Sequence, residues 1–321
     1  MTNIKNSKLG FGTAAIGRPL YINIKKEKAA SDISKDIFIS SGIKMLDAAY
    51  DKGIRYFDTA PGYGIAEQML IDWVAEKVDD TVEVATKWGY TYIADFDPNA
   101  VQHEVKEHSI IKLNEQWSKS KNLLPRLKTY QIHSATIETG VLHNERILHR
   151  LAELQDEYKL LIGITTTGKN QLEVLKKALD VEVDGKEIFD VFQVTYNIFD
   201  QSLTSIVKDV ARRKKRMIIK EALANGRIFP NIKYPHYSKA YQHLNQLSQK
   251  YNVGVDAIGL RFCMDSIPVF KVLSGAANQD HLSGNMKVVD FTLDDEDINL
   301  LKELSIEPSE YWNERKQLVW N

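Results

Sequence analysis

The chain has 321 residues, 43% of them hydrophobic and 26% charged, with a formal net charge of -1; such a chain buries one large core and has no global electrostatic pull toward nucleic acid or an anionic membrane. No run of about 18 apolar residues occurs, and residues 1–7 lack the apolar core of a signal peptide, so a cytoplasmic protein away from the membrane is expected. The single cysteine, Cys263, excludes an intrachain disulfide and, set among Ile258, Leu260, Phe262 and Met264, reads as a buried structural thiol.

Residues 9–14 form a short glycine-bearing strand that breaks into a loop at Gly17-Arg18-Pro19, and the third glycine of a dinucleotide-binding fingerprint is missing. Apolar positions over 32–52 follow helical spacing, with an interruption expected at Ser41-Gly42. A strand then ends on Phe57-Asp58, and the tight turn Thr59-Ala60-Pro61-Gly62-Tyr63-Gly64 leads into a helix over 65–77. The strand over 82–87 closes on Lys87. Residues 88–96 read as a loop rich in aromatics, of which Trp88 and Tyr90 are candidates to touch a substrate; packing over a rim explains the same rings. A helix is expected over 101–123, ended by Pro125, and the next strand closes on His133.

Amphipathic spacing over 144–159, a buried strand over 160–167, a helix over 171–179, a strand over 189–197, a helix over 203–213 and a strand over 217–220 continue the alternation. The basic run Arg212-Arg213-Lys214-Lys215-Arg216 sits at a predicted helix C-terminus, where cations complement the macrodipole. Helices over 238–251 and 257–265, a strand over 269–273, helices over 281–288 and 295–304, and a tail over 305–321 with Tyr311, Trp312 and Trp320 complete the chain. Eight strands alternating with helices through short crossovers imply an α/β fold, a (β/α)8 TIM barrel, as a single domain with its barrel at about 8–304.

In such a barrel successive strand ends are neighbours, so Asp58 and Tyr63, Lys87 and His133 meet at one rim. An ammonium beside a phenol favours phenolate, so Lys87 is expected to draw Tyr63 below the usual value near 10. Asp58 then keeps the lysine charged, and His133 offers a second hydrogen bond to an oxygen that gains negative charge as a carbonyl is reduced. These residues contain no electron donor, so a cofactor must supply hydride. The loops 223–227 and 274–278, after the last two strands, occupy the usual anion site of a barrel. Taken singly, Asp58 reads as a turn cap, Tyr63 as a rim aromatic, Lys87 as an end charge and His133 as a core histidine; it is their joint placement that points to chemistry. The pairs His103/His108, His143/His149 and His236/His243 lack the spacing of a helical metal site, and no metal is expected.

The run Asp58-Thr59-Ala60-Pro61-Gly62-Tyr63-Gly64, with Glu67, Lys87 and His133 in order behind it, resembles the aldo-keto reductase family over about residues 9–304. The segment Lys220-Glu221-Ala222-Leu223-Ala224-Asn225-Gly226 looks most like a branch that includes sugar and lactone-forming aldose dehydrogenases. The resemblance implies reduction of an aldehyde or ketone by a nicotinamide cofactor, usually NADP(H), with Asp58, Tyr63, Lys87 and His133 as the catalytic residues. It also implies cofactor contacts at Gly12, Thr13, Thr165, Thr166, Gln193, Lys220, Leu223, Asn225, Gly226, Ser274, Gly275, Ala276, His281 and Asn285. Thr165-Thr166 replaces the more usual Ser-Asn, Lys220 replaces a stacking aromatic, and Ala277 and His281 stand where basic residues commonly grip a 2′-phosphate, which makes NAD(H) an alternative to NADP(H). The expected partner is a small-molecule carbonyl or alcohol, with no nucleic acid and no membrane. Two other readings stay open: a redox-sensing subunit that binds the cofactor with little turnover, and a phosphate-handling barrel isomerase or lyase that needs no hydride.

Overall fold

The computed structural model describes residues 8–20, 22–23, 35–97 and 99–320. In chain order the first half comprises β1 (Leu9–Gly12), α1 (Lys35–Asp51), β2 (Tyr56–Asp58), α2 (Ala66–Ala75), β3 (Glu83–Trp88), β4 (Tyr90–Tyr92), β5 (Glu104–Lys106), α3 (Ile110–Ser120), β6 (Leu127–Ala135), α4 (Glu145–Tyr158), β7 (Leu161–Thr166) and α5 (Gln171–Leu179). The second half adds β8 (Glu182–Val183), β9 (Lys186–Glu187), β10 (Val191–Thr195), α6 (Val207–Arg212), β11 (Arg216–Lys220), α7 (Ser238–Tyr251), α8 (Val255–Ser266), β12 (Lys271–Ser274), α9 (Gln279–Met286), α10 (Asp295–Lys302) and α11 (Pro308–Lys316).

Eight of the strands close a barrel in the order β1-β2-β3-β6-β7-β10-β11-β12, every pair parallel. Strands covered on both faces are mostly apolar, and β10, buried at all its residues, sets Val191, Phe192 and Val194 beside the polar Gln193 and Thr195. Tyr56, Ala85, Val191, Ile218 and Leu273 fill part of the barrel interior, while the larger apolar cluster lies between the strands and the helices around them. Local chemistry fixes several helix starts. The side chains of Ser109, Asn144 and Asn278 accept from the backbone amides of Lys112, Ile147 and His281, satisfying donors left open by α3, α4 and α9.

The structure departs from the sequence expectation at several places. From Lys35 onward α1 runs unbroken through Ser41-Gly42, since Gly42 lies against α2, where a Cβ would meet Met69 Sδ at 2.8 Å; the expected first residues, 32–34, lie outside the described ones. The supposed long helix over 101–123 is confined to α3. Ahead of it, Glu104–Lys106 pairs antiparallel with Tyr90–Tyr92, so the aromatic loop is half of a hairpin. The helix expected over 203–213 shortens to α6. The tail is folded: Pro308 opens α11, Asn197 Nδ2 donates to Tyr311 Oη at 2.9 Å, and Trp312 Nε1 donates to Asp200 Oδ2 at 3.0 Å.

The basic run is used in ion pairs, Arg213 with Asp180 and Glu187, and Lys215 with Glu187 and Asp190. Cys263 is buried, and its Sγ donates to the Tyr196 carbonyl at 3.3 Å. Among the described residues, no helix is long and apolar enough to cross a membrane.

Gly17 ties the first loop to the turn after β2: its carbonyl accepts from Ile65 N at 2.9 Å, and a Cβ there would lie 2.1 Å from Tyr63 O and 2.4 Å from Ala66 Cβ. Gly17→Ala is therefore expected to cost about 1–3 kcal/mol by overpacking, read as a lower urea midpoint; an unchanged midpoint would show that the loop yields freely.

Candidate active site

Asp58 ends β2, Lys87 lies near the end of β3, and His133 lies on β6, three strands adjacent in the barrel. The Lys87 ammonium is fully buried, 2.5 Å from Asp58 Oδ2 and 2.9 Å from the Thr59 carbonyl that accepts from it. Gln193, from β10 across the barrel, donates to the other Asp58 oxygen at 2.7 Å. The turn after β2 brings the Tyr63 ring over this pair, its centroid 4.6 Å from Lys87 Nζ. The His133 ring meets Tyr63 edge-on at 5.4 Å, and Tyr90 lies 4.6 Å from the same imidazole. All four residues singled out from the sequence thus stand together.

Electrostatics corrects one expectation. Burial, and then the Asp58 carboxylate, push the Tyr63 phenol well above its usual value, because Lys87 is neutralised by Asp58 rather than left to act on the phenol. Burial, followed by Lys87, Lys220 and Arg18, holds His133 well below the usual imidazole range, so it is neutral around pH 7. Its Nδ1 is buried with no hydrogen-bond partner among the described residues. His108 Nε2 donates to the His133 carbonyl at 2.9 Å, and burial lowers His108 to about 4. Beneath this layer, burial raises Glu67 to about 7 against hydrogen bonds from Thr86 and Ser120.

A cleft of about 330 Å³ runs from Tyr63 and His133, past Gln193 and Lys220, to Ser274, Gly275 and Ala276 and on to His281 and Asn285. Gly12, Leu223, Asn225 and Gly226 also line it, so most of the residues implied to hold a cofactor face one space. Thr13, Thr165 and Thr166 do not. Thr13 Oγ1 donates to the Asp58 carbonyl, Thr165 Oγ1 accepts from Ser134 N at 2.7 Å, and Thr166 Oγ1 donates to Gln171; Thr167, one residue beyond β7, reaches the wall instead. Gln193 faces the cleft but spends a donor on Asp58. Trp88 is also corrected: alternation along β3 turns it away from Lys87, and it is fully buried against His108 rather than exposed to a substrate.

Arg18, Glu104 and Arg315 line the cleft and were not singled out from the sequence. Arg18 is almost fully buried, donates to Gly62 O, pairs with Glu104 at 2.9 Å and lies 5.5 Å from the Tyr63 centroid. Trp320 covers Arg18 at 4.5 Å, stacks on His103 at 4.4 Å, and forms a β-bridge with Ile22. Lys220 Nζ donates to Thr195 Oγ1 at 2.9 Å, beside Glu221, which Arg315 of α11 grips through two nitrogens. Burial opposes ionisation of Glu221, but Arg315 and Lys220 hold it down to about 2. Arg18 comes from a loop, Glu104 from the short strand β5 and Arg315 from α11 in the tail, and no periodicity of the barrel marks which way these side chains face.

The chemistry of the cleft wall suits a dinucleotide. Asn225 Oδ1 is a buried wall atom without a hydrogen-bond partner among the described residues, and the Ser274–Ala277 loop leads into the capped N-terminus of α9, where backbone amides suit a pyrophosphate.

Removing one member of the buried pair should expose its worth. Asp58→Ala leaves a buried ammonium without its carboxylate and is expected to destabilise the fold by about 3–5 kcal/mol. The double change with Lys87→Met should recover part of that loss in denaturant unfolding; a purely additive cycle would show that the two charges do not interact.

Residues 8–306 match the profile of the Aldo/keto reductase family. Over 340 aligned residues the chain is 23% identical to aldo-keto reductase YhdN of Bacillus subtilis (strain 168), covering 95% of this chain and 92% of that protein. Two solved structures share the fold: the glycerol dehydrogenase AKR11B4 from Gluconobacter oxydans, with a TM-score of 0.71 and 22% identity over 93% of this chain and 91% of that one, and the holo form of aldo-keto reductase AKR11C1 from Bacillus halodurans, with a TM-score of 0.69 and 19% identity over 94% and 93%. The chain therefore belongs to the aldo/keto reductase family, barrel oxidoreductases that act on carbonyl compounds with nicotinamide cofactors.

Proposed function

We propose that this protein interconverts a small polar carbonyl compound and its alcohol, with Tyr63 giving or taking the proton at the carbonyl oxygen. The observation that carries the reading is the stacking of Tyr63 over the buried Lys87–Asp58 pair, with His133 against its edge, at one end of a long cleft. A nicotinamide dinucleotide in the cleft supplies the hydride. Asn225, Ser274, Gly275, Ala276 and Asn285 are the residues to hold it.

The chain's own part follows from its protonation states. A phenol raised above 10 is fully protonated around pH 7, the form that donates to an oxygen gaining negative charge. Asp58 and Gln193 fix Lys87 beneath the ring, and its ammonium offsets the Asp58 charge that would otherwise oppose the phenolate left behind. Neutral His133 supplies the second hydrogen bond and so orients the carbonyl. Beyond Tyr63, the Arg18–Glu104 pair offers donors and acceptors to hydroxyl groups next to the carbonyl. The neighbour from Gluconobacter oxydans is a glycerol dehydrogenase, and a hydroxylated substrate of that size suits this wall.

Tyr63→Phe is expected to lower NAD(P)H-linked turnover of aldehydes by about 10²–10⁴-fold while cofactor binding, followed by dihydronicotinamide fluorescence, persists; full turnover in this variant would remove Tyr63 from its role. The direction of the Tyr63 shift also sets the pH profile. Below a raised phenol pKa the acid form dominates, so reduction should not be limited by Tyr63 ionisation between pH 6 and about 9. Alcohol oxidation needs the scarce phenolate, and its kcat/KM should climb roughly tenfold per pH unit up to at least about 10. A plateau near pH 7 in the oxidative direction would contradict this.

A further inference from the structure

The far end of the cleft carries a carboxylate that the chemistry at Tyr63 does not use. Asp256, at the start of α8, lines the cleft together with Ala277, His281 and Asn285. Its position is tightly set. Cβ atoms on Gly254 and Gly284 would lie 2.2 Å and 2.6 Å from its two oxygens, so the carboxylate rests in space that two glycines leave open. Asn285, with its amide oxygen on Ser274 Oγ, donates through its nitrogen to Asp256 Oδ2 at 2.7 Å.

Charge along the cleft is uneven. Among the described lining residues the Lys and Arg side chains are Arg18, Lys220 and Arg315, and all three stand at the Tyr63 end: Arg18 by the Tyr63 ring, Lys220 on Thr195, and Arg315 on Glu221. At the other end the one basic side chain among them is His281, close enough to act electrostatically on Asp256. With its reacting ring beside Tyr63 and its phosphates at residues 274–277, a dinucleotide would end with its adenosine ribose near Asp256, His281 and Asn285. A carboxylate there accepts hydrogen bonds from two ribose hydroxyls but repels a 2′-phosphate, the same discrimination that an acidic residue makes in other dinucleotide folds.

We infer that Asp256 makes this protein a binder of NAD(H) in preference to NADP(H), by accepting from the adenosine ribose hydroxyls and excluding a 2′-phosphate. The inference rests on the reading of the cleft as a nicotinamide dinucleotide site, and binding separates the two. Full-length protein is titrated with NADH and with NADPH, following dihydronicotinamide fluorescence. Bound NADH is then displaced with adenosine 5′-monophosphate or with adenosine 2′,5′-bisphosphate.

The wild-type protein should bind NADH at least tenfold more tightly than NADPH and respond more strongly to the monophosphate. Asp256→Asn, which keeps the side chain's shape and an acceptor for Asn285, should tighten NADPH about tenfold, weaken NADH a few-fold and level the two competitors. Asp256→Ser combined with His281→Arg should reverse the preference outright. NADPH binding as tightly as NADH, or a ratio unmoved by Asp256→Asn, overturns the inference and leaves the dinucleotide site standing. Failure of both dinucleotides to bind overturns the site and the inference together.

Discussion

The fully buried contact between Lys87 and Asp58 is the constraint on which the rest of the site depends. Taking two charges out of water costs several kcal/mol per ion, and the attraction between them offsets this only when geometry is good and the remaining polar positions are filled. Here they are filled: Thr59 O takes a second lysine hydrogen, and Gln193 satisfies the second carboxylate oxygen. Meeting those demands draws β2, β3 and β10 toward one point inside the barrel. Replacing the pair by hydrocarbon would be neutral or favourable for folding in many proteins. Stability alone therefore does not account for the pair.

The Tyr63 ring shows why a partner's charge cannot be considered apart from its own partner. A lone ammonium would lower the phenol, but an ammonium cancelled at 2.5 Å leaves burial to decide, and burial favours the neutral acid. The same enclosure keeps His133 uncharged. Two neutral hydrogen-bonding groups thus face the cleft above a compensated ion pair, so positive charge at this end comes mainly from Arg18, Lys220 and Arg315, of which Arg18 and Arg315 are tied to carboxylates.

Much of this was legible in the sequence for simple reasons. Strands buried on both faces read as continuous apolar runs, and a lysine or histidine closing such a run stands out against it; Lys87 and His133 were visible on that ground, and Asp58 and Tyr63 by their turn. The pairing of Tyr90–Tyr92 with Glu104–Lys106 was not, because a hairpin with a long connection leaves no local signature and the intervening polar residues mimic a helix start. Alternation from Lys87 turns Trp88 away, but no spacing places Tyr90, beyond the end of β3, against His133. Arg18, Glu104, Asp256 and Arg315 enter the cleft from a loop, the hairpin strand β5, a helix start and the folded tail, and only the packed structure brings them there. The sign of the Tyr63 shift likewise depends on distances that no motif encodes.

The closing turn of the chain has a practical side. Trp320 lies across Arg18 and pairs with Ile22, while α11 is anchored nearby by Arg227 against Glu314. The C-terminal segment therefore packs against one wall of the cleft. Substitutions in this segment will therefore act on the cleft through Arg18 and, by way of Arg315, through Glu221.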